Sequence, residues 1–150
     1  MVVIGFELAA IMIVTLEDIM IGARTIYGEA RGEKYDGMKA IGHVLINRVV
    51  RKVGDPDHTI ASAALRHRQY SAWNEGDANR IEMQSATVSD PTFRKCLSAM
   101  IEALDEADPT NGARHYMTAA RLAQGWPKSW GPERKPVARI GDHLFFNSVD

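Results

Sequence analysis

The sequence has one cysteine in 150 residues, Cys96, which excludes an internal disulfide and any metal site built from several cysteines. No lysine or arginine precedes Arg24, so the basic leading region of a secretory signal is missing. The apolar stretch from Met1 to Val14 is interrupted by Glu7 and falls short of the about 20 residues that a membrane-spanning helix needs. Packing on a core is therefore its expected use, and no stable membrane insertion is expected. Charge of one sign is also lacking. A net charge of -1 leaves no electrostatic footprint for nucleic acid and argues against binding driven mainly by charge. There is no internal repeat and no low-complexity linker. The five histidines include no H-E-x-x-H spacing, the usual local sign of a zinc site, so no metal or other cofactor is expected.

What is present is an ordinary globular composition, and an apolar fraction of 45% at this length suffices for one real core. One domain spanning residues 1–150, and a monomer, are the expectation. Thr15-Leu16-Glu17-Asp18 has the form of a capping box with Thr15 as the cap. Leu16, Ile19, Met20, Ala23, Ile26, Tyr27 and Ala30 then follow helical spacing up to a stop at Gly32. A second helix is expected from Asp36 to about Arg51, with Gly37 and Gly42 marking close packing against the first. A loop at Gly54–His58 and a short helix from Thr59 to about His67 follow. Gln69–Gln84 is polar and reads as a long exposed loop, a length that is usually functional. The clearest helix is Pro91–Ala107, capped by Asp90, with Phe93, Leu97, Met100, Ile101 and Leu104 on one stripe. Cys96 falls on its apolar side, as a small buried hydrophobe. Ala113–Thr118 and Asp142–Asn147 are candidate short strands.

The segment Tyr27-Gly28-Glu29-Ala30-Arg31-Gly32-Glu33 places a carboxylate, Glu29, where the first helix runs out into a glycine. A carboxyl group on the rim of a core is both partly desolvated and reachable by substrate. Desolvation disfavours the charged form, and a helix C-terminus does the same, so such a position suits a proton donor. On this segment alone Glu29 and Glu33 read better as solvated charges flanking Arg31 at a helix end. The recurrence of further blocks along the chain changes the balance.

Those blocks are Gly37-Met38-Lys39-Ala40-Ile41-Gly42-His43-Val44-Leu45-Ile46-Asn47-Arg48-Val49, Gln69-Tyr70-Ser71-Ala72-Trp73, Gly112-Ala113-Arg114-His115-Tyr116 and Ile140-Gly141-Asp142-His143-Leu144-Phe145-Phe146. Together with the Glu29 segment, over about Ala23 to Phe146, the chain resembles the cell wall hydrolase family that includes the spore cortex-lytic enzymes. The resemblance implies a mainly α, lysozyme-like domain with a small β-hairpin element, acting on peptidoglycan glycan strands with Glu29 as the catalytic acid. The chain departs from the family after Tyr116, where Trp126-Pro127-Lys128-Ser129-Trp130 spreads out what is expected to be a compact proline–tryptophan element. A wall-degrading enzyme without an export signal has the form of a phage endolysin, made in the cytoplasm and acting at the wall or periplasm during host lysis.

Glycosidic cleavage normally uses two carboxyl groups on opposite faces of the sugar. Glu29 and Glu33 would approach from one side and make a poor pair, while Glu75, Asp77 and Glu82 are candidates for a second carboxylate. The resemblance favours a single-acid route, the lytic transglycosylase reaction, which gives a 1,6-anhydromuramyl product. Tyr70, Ser71, Trp73 and Asn74 offer a ring for sugar stacking beside hydrogen-bonding groups, or a loop anchored in the core by Trp73. His115 and Tyr116 bridge Glu29 or line the cleft, Glu33 orients Arg31 or substrate, and His143 closes the strand pair. Trp126 and Trp130 either hold glycan or cover the core. The alternatives are a hydrolytic muramidase, a metal-dependent amidase using His43, His115, His143 and Glu29, and a non-catalytic wall-binding protein.

Overall fold

In the computed structural model, which describes residues 12–51, 59–66, 70–131 and 134–149, the first helix, α1, spans Leu16–Ala30. Its capping box forms as expected. Thr15 Oγ1 accepts from the Asp18 backbone N–H at 3.2 Å, and Asp18 Oδ2 accepts from the Thr15 backbone N–H at 2.9 Å. Asp18 also accepts from the Ala61 N–H at 2.9 Å, which ties α1 to the start of α3 (Ile60–Leu65). Ala23, Ile26, Tyr27 and Ala30 are buried, but Leu16, expected on the same stripe, is 75% exposed because it lies at the free first turn. Met12 and Val14 pack against the core while Ile13 points outward. The rest of the expected apolar N-terminal run, and the expected loop at Gly54–His58, lie outside the described residues.

α2 spans Tyr35–Arg51 and α5 spans Pro91–Asp105, and these two with α1 form the centre of the molecule. Asp90 Oδ1 accepts from the Thr92 N–H at 2.8 Å and Pro91 occupies the first turn, so the local signals set this N-terminus. Phe93, Cys96, Ala99 and Met100 are fully buried, and burial pushes the Cys96 thiol up to about 12, leaving it an inert hydrophobe. Ile101, assigned to that stripe by spacing, is 49% exposed instead. The glycines in α1 and α2 let side chains approach. A Cβ on Gly22 would stand 2.6 Å from Met100 Sδ, and one on Gly42 would stand 3.0 Å from Ala103 Cβ. Gly42 thus packs mainly against α5 rather than α1, and Gly37 packs against Glu33.

The expected long loop is a correction. Residues 71–73 form a 3₁₀ turn, and Ala78–Ser85 form a helix, α4, capped by Asp77, which accepts from the Asn79 N–H at 2.8 Å. α4 is short and polar on average, and it buries one large side chain, Met83, against α1.

The expected strand pair is a three-stranded antiparallel sheet in the order β1–β3–β2, with β1 His115–Thr118, β2 Ala138–Ile140 and β3 His143–Phe146. β1 and β3 pair with His115 opposite Phe146 and Thr118 opposite His143. The extra strand β2 joins β3 through Gly141-Asp142, with Gly141 at φ +58°, the conformation glycine tolerates at the first position of a tight hairpin turn. A short helix, α6 (Ala119–Ala123), follows β1 without having been signalled by periodicity.

The sheet is hooked to α2 by Asp108. Its carboxylate accepts from the Thr110 hydroxyl at 2.6 Å, the Thr110 N–H at 2.8 Å, the Gly112 N–H at 2.8 Å and the Asn47 amide at 2.9 Å. Burial works to raise this carboxyl, but the donors outweigh it and hold Asp108 below its ordinary value of 3.8. A carboxyl depressed in the folded state adds stability above its unfolded pKa and loses it as pH falls through the folded value. Asp108→Ala is therefore expected to lower stability at neutral pH by roughly 3 kcal/mol, since several donors lose their acceptor. The gap to the parent should begin to narrow below about pH 4, where Asp108 of the unfolded chain takes up a proton, and narrow further as pH falls through the depressed folded value. Urea denaturation at pH 7 and pH 3.5 checks both parts.

Candidate active site

Glu29 sits in the last turn of α1, half-buried, with the chain turning immediately after Ala30. Gly28, just before it, has no side chain because the 71–73 turn lies against it. A Cβ there would stand 2.6 Å from Ala72 Cβ and 2.8 Å from Met83 Sδ. That close approach brings the Ala72 backbone N–H to 3.5 Å from Glu29 Oε1, a long contact. The other carboxylate oxygen, Oε2, accepts a hydrogen bond of 2.9 Å from the Tyr116 hydroxyl on β1, 87 residues away in sequence. Burial first, and then the adjacent Glu29 charge, push the Tyr116 phenol well above its ordinary value of 10.0, so it keeps its proton and acts as a donor.

Behind this pair lies Tyr70, at 2% exposure, with its hydroxyl buried and without a hydrogen-bond partner among the described residues. Burial pushes its phenol up to about 12. The expectation that Tyr70 presents a ring to a sugar is therefore corrected. The ring faces the Arg48 guanidinium at 5.1 Å, inside the protein. Arg48 also donates to the Arg114 carbonyl through Nε and contacts His115 Nδ1 at 3.2 Å through Nη2. His115 is thus held between Arg48 and the edge of Trp130, 5.7 Å away, and the structure shows it fixing the start of β1. Sequence reasoning passed over Arg48 although a signal was there. Its i+4 and i+7 offsets from Val44 and Ile41 place it on the buried stripe of α2, where an unexplained cation stands out.

Trp73 is anchored as its structural alternative described. It is half-buried against the core and its indole N–H donates to Thr25 Oγ1 at 2.9 Å. Ser71 is exposed and Asn74 half-exposed at the same turn, whose Ala72 N–H reaches Glu29. Trp126 and Trp130 pack on Phe146 at 5.5 and 5.2 Å, which covers the end of the sheet.

The remaining carboxylates near the helix end are committed elsewhere. Arg31 donates to Asn79 at 2.7 Å and pairs with Glu82 at 3.2 Å, so it is Glu82, not Glu33, that orients Arg31. Glu33 instead lies 3.3 Å from His143 Nδ1, within ion-pair distance but without the directionality of a hydrogen bond. His43, far back on α2, is buried at 3% exposure, and burial lowers its pKa. Among the described residues no group of three His, Cys, Asp or Glu side chains converges as a metal site. Nor is any described helix long and apolar enough to cross a membrane.

The sequence pattern of the family described as Cell Wall Hydrolase matches residues 32–146, beginning three residues after Glu29. A spore cortex-lytic enzyme of Halalkalibacterium halodurans is 32% identical over 130 residues, which is 87% of this chain and 34% of that protein. A spore cortex-lytic enzyme of Bacillus subtilis is 31% identical over 128 residues, 85% of this chain and 37% of that protein. The chain thus spans about a third of the length of these relatives. Among solved structures, the catalytic domain of the Bacillus cereus SleB protein superposes with a TM-score of 0.69 at 24% identity, covering 95% of this chain and 99% of that one. The catalytic domain of the germination-specific lytic transglycosylase SleB from Bacillus anthracis superposes at 0.66 and 26% identity, covering 89% and 96%.

Proposed function

This chain belongs to the Cell Wall Hydrolase family, and from that premise we propose that it is a catalytic domain cleaving the glycan strands of peptidoglycan as a lytic transglycosylase, with Glu29 as its acid and base. The observation that carries this reading is the bonding of Glu29. One oxygen is held by Tyr116, and the other, met among the described residues only by a long contact from Ala72, is left to face a substrate.

In the first step the Glu29 carboxylic acid gives its proton to the glycosidic oxygen between the two sugars. The bond from C1 of the muramyl residue to that oxygen breaks, and positive charge develops at C1. In the second step the Glu29 carboxylate takes the proton of the same sugar's C6 hydroxyl while that oxygen bonds to C1. Glu29 is then an acid again, and no water has been consumed. A second carboxylate is not needed, which fits Asp77 capping α4, Glu82 holding Arg31 and Glu33 standing against His143. Ser71 and Asn74 on the adjoining turn suit hydrogen bonding to sugar hydroxyls.

A hydrolytic muramidase is the second reading, favoured by one observation. Glu75 is exposed on the same segment as Ser71 and Asn74 and makes no bond among the described residues. Mass spectrometry of fragments from purified peptidoglycan separates the two. Anhydromuramyl products, lighter by one water than reducing-end products, are expected from the transglycosylase. The same digestion should proceed at full rate after exhaustive chelation. Loss of activity restored by zinc would instead favour the amidase reading, and reducing-end products would require a second carboxylate, with Glu75 first to be tested.

A further inference from the structure

Glu33 follows Glu29 by four residues, but the helix ends between them, and the Glu33 N–H turns back to the Ala30 carbonyl at 2.9 Å. This sends the Glu33 side chain away from the helix end and toward the sheet. Its carboxylate enters a space kept open by two glycines from different parts of the chain. A Cβ on Gly141, in the β2–β3 turn, would stand 2.6 Å from Glu33 Oε2, and one on Gly37, in the first turn of α2, would stand 3.3 Å from the same oxygen. The side chain is 17% exposed there. Facing it is His143, the first residue of β3, at 5% exposure, with Nδ1 3.3 Å from Glu33 Oε1. The imidazole in turn stands edge-on to the Tyr116 ring at 5.2 Å between centroids. Tyr116 is the residue that holds Glu29.

We propose that Glu33 and His143 are a positioning pair that fixes the Tyr116 ring, and through it the orientation of the Glu29 carboxylate. Both ends of the device start from the same short segment, because Glu29 and Glu33 leave α1 on either side of its terminus. One carboxylate performs the chemistry and the other clamps the sheet that supports it. The contact from Glu33 to His143 works as an ion pair or, after a small rotation of either side chain, as an N–H···O bond. In both forms it draws its strength from the carboxylate charge of Glu33, which an amide lacks. The inference rests on the reading of Glu29 as the proton carrier, and it assigns Glu33 no contact with substrate.

The test is a double-mutant cycle on Glu33→Gln, His143→Gln and Tyr116→Phe, read as kcat and KM on soluble glycan fragments, with melting temperature as control. Glu33→Gln is close in size and is expected to lower kcat about tenfold, the weight of one well-placed hydrogen bond, with KM unchanged. His143→Gln should do the same, and the two together should be no worse than either alone. In the Tyr116→Phe protein, which has already lost the bond to Glu29, Glu33→Gln should change kcat less than about twofold. An undiminished effect in that background, or a rise in KM with kcat preserved, overturns the proposal and returns Glu33 to substrate binding. A crystal structure of Glu33→Gln supplies an arm that needs no turnover. A Tyr116–Glu29 separation beyond hydrogen-bonding range supports the pair, and an unchanged 2.9 Å contact overturns it. Absence of turnover by the unaltered protein would instead count against the transglycosylase reading, so the two failures are distinguishable.

Discussion

Glu29→Gln is expected to abolish turnover of peptidoglycan while the protein remains folded. The amide keeps the size of the side chain, and its carbonyl oxygen can still accept from the Tyr116 hydroxyl. Its NH₂ group would then face the Ala72 N–H, two donors at a distance that is already 3.5 Å, so the structural penalty is small. What the amide lacks is a transferable proton. General acid–base assistance is worth about 10²–10⁴-fold in one step, and in the proposed reaction the same group serves both protonation of the leaving oxygen and removal of the C6 proton. The loss should exceed either contribution alone. Release of fragments from purified peptidoglycan, with circular dichroism and melting temperature as controls, measures it. Activity near that of the unaltered protein would remove Glu29 from the mechanism and leave Glu75 as the unengaged carboxylate to examine.

Much of the helical frame could be read from the chain because its determinants are local. Thr15 and Asp18 cap α1 within four residues, and Asp90 and Pro91 set the start of α5, so no tertiary information is needed. α4 was read as loop for the opposite reason. It is eight residues long and polar on average, which reads as loop, and the helix forms where its one large buried side chain, Met83, meets Gly28. β2 escaped notice because three residues are too few for an alternation, and it is defined by pairing with β3.

The site divides in the same way. Glu29, at the end of an apolar helix, and Tyr116 were both singled out by the resemblance to a family, the helix end alone being at least as well explained by solvated charges. The bond between them spans 87 residues and depends on the sheet being hooked to α2 through Asn47, Arg48 and Asp108. Neither spacing nor composition reports such a hook. Tyr70 was misplaced because its neighbours Ser71 and Asn74 are polar, whereas its own ring turns inward to meet Arg48. Partners of charged groups were the least legible feature. Arg31 has Glu29 and Glu33 within two residues, yet it reaches across to Glu82 and Asn79 on α4.

Tyr116→Phe is expected to lower kcat by about 30-fold with little change in KM, the equivalent of about 2 kcal/mol for one hydrogen bond to a charged group. The phenol holds Oε2, so in the proposed reaction the proton that Glu29 donates belongs on Oε1, which has only the long contact from Ala72 among the described residues. When Glu29 is protonated on Oε1, Oε2 is a carbonyl oxygen and accepts from Tyr116. When Glu29 has become a carboxylate, Oε2 still accepts from Tyr116, and Oε1 is ready for the C6 proton. In the proposed reaction one unchanged bond therefore serves both steps. The phenol performs this role only as a donor, and burial together with the Glu29 charge keeps it protonated through the working range of pH. Phenylalanine preserves the packing on Phe145 and His143, so melting temperature should change little. It leaves Oε2 unpaired and the carboxyl group free to rotate, which misplaces the proton without weakening the grip on the glycan. A tenfold or greater rise in KM at constant kcat would show that the Tyr116 hydroxyl binds substrate rather than Glu29.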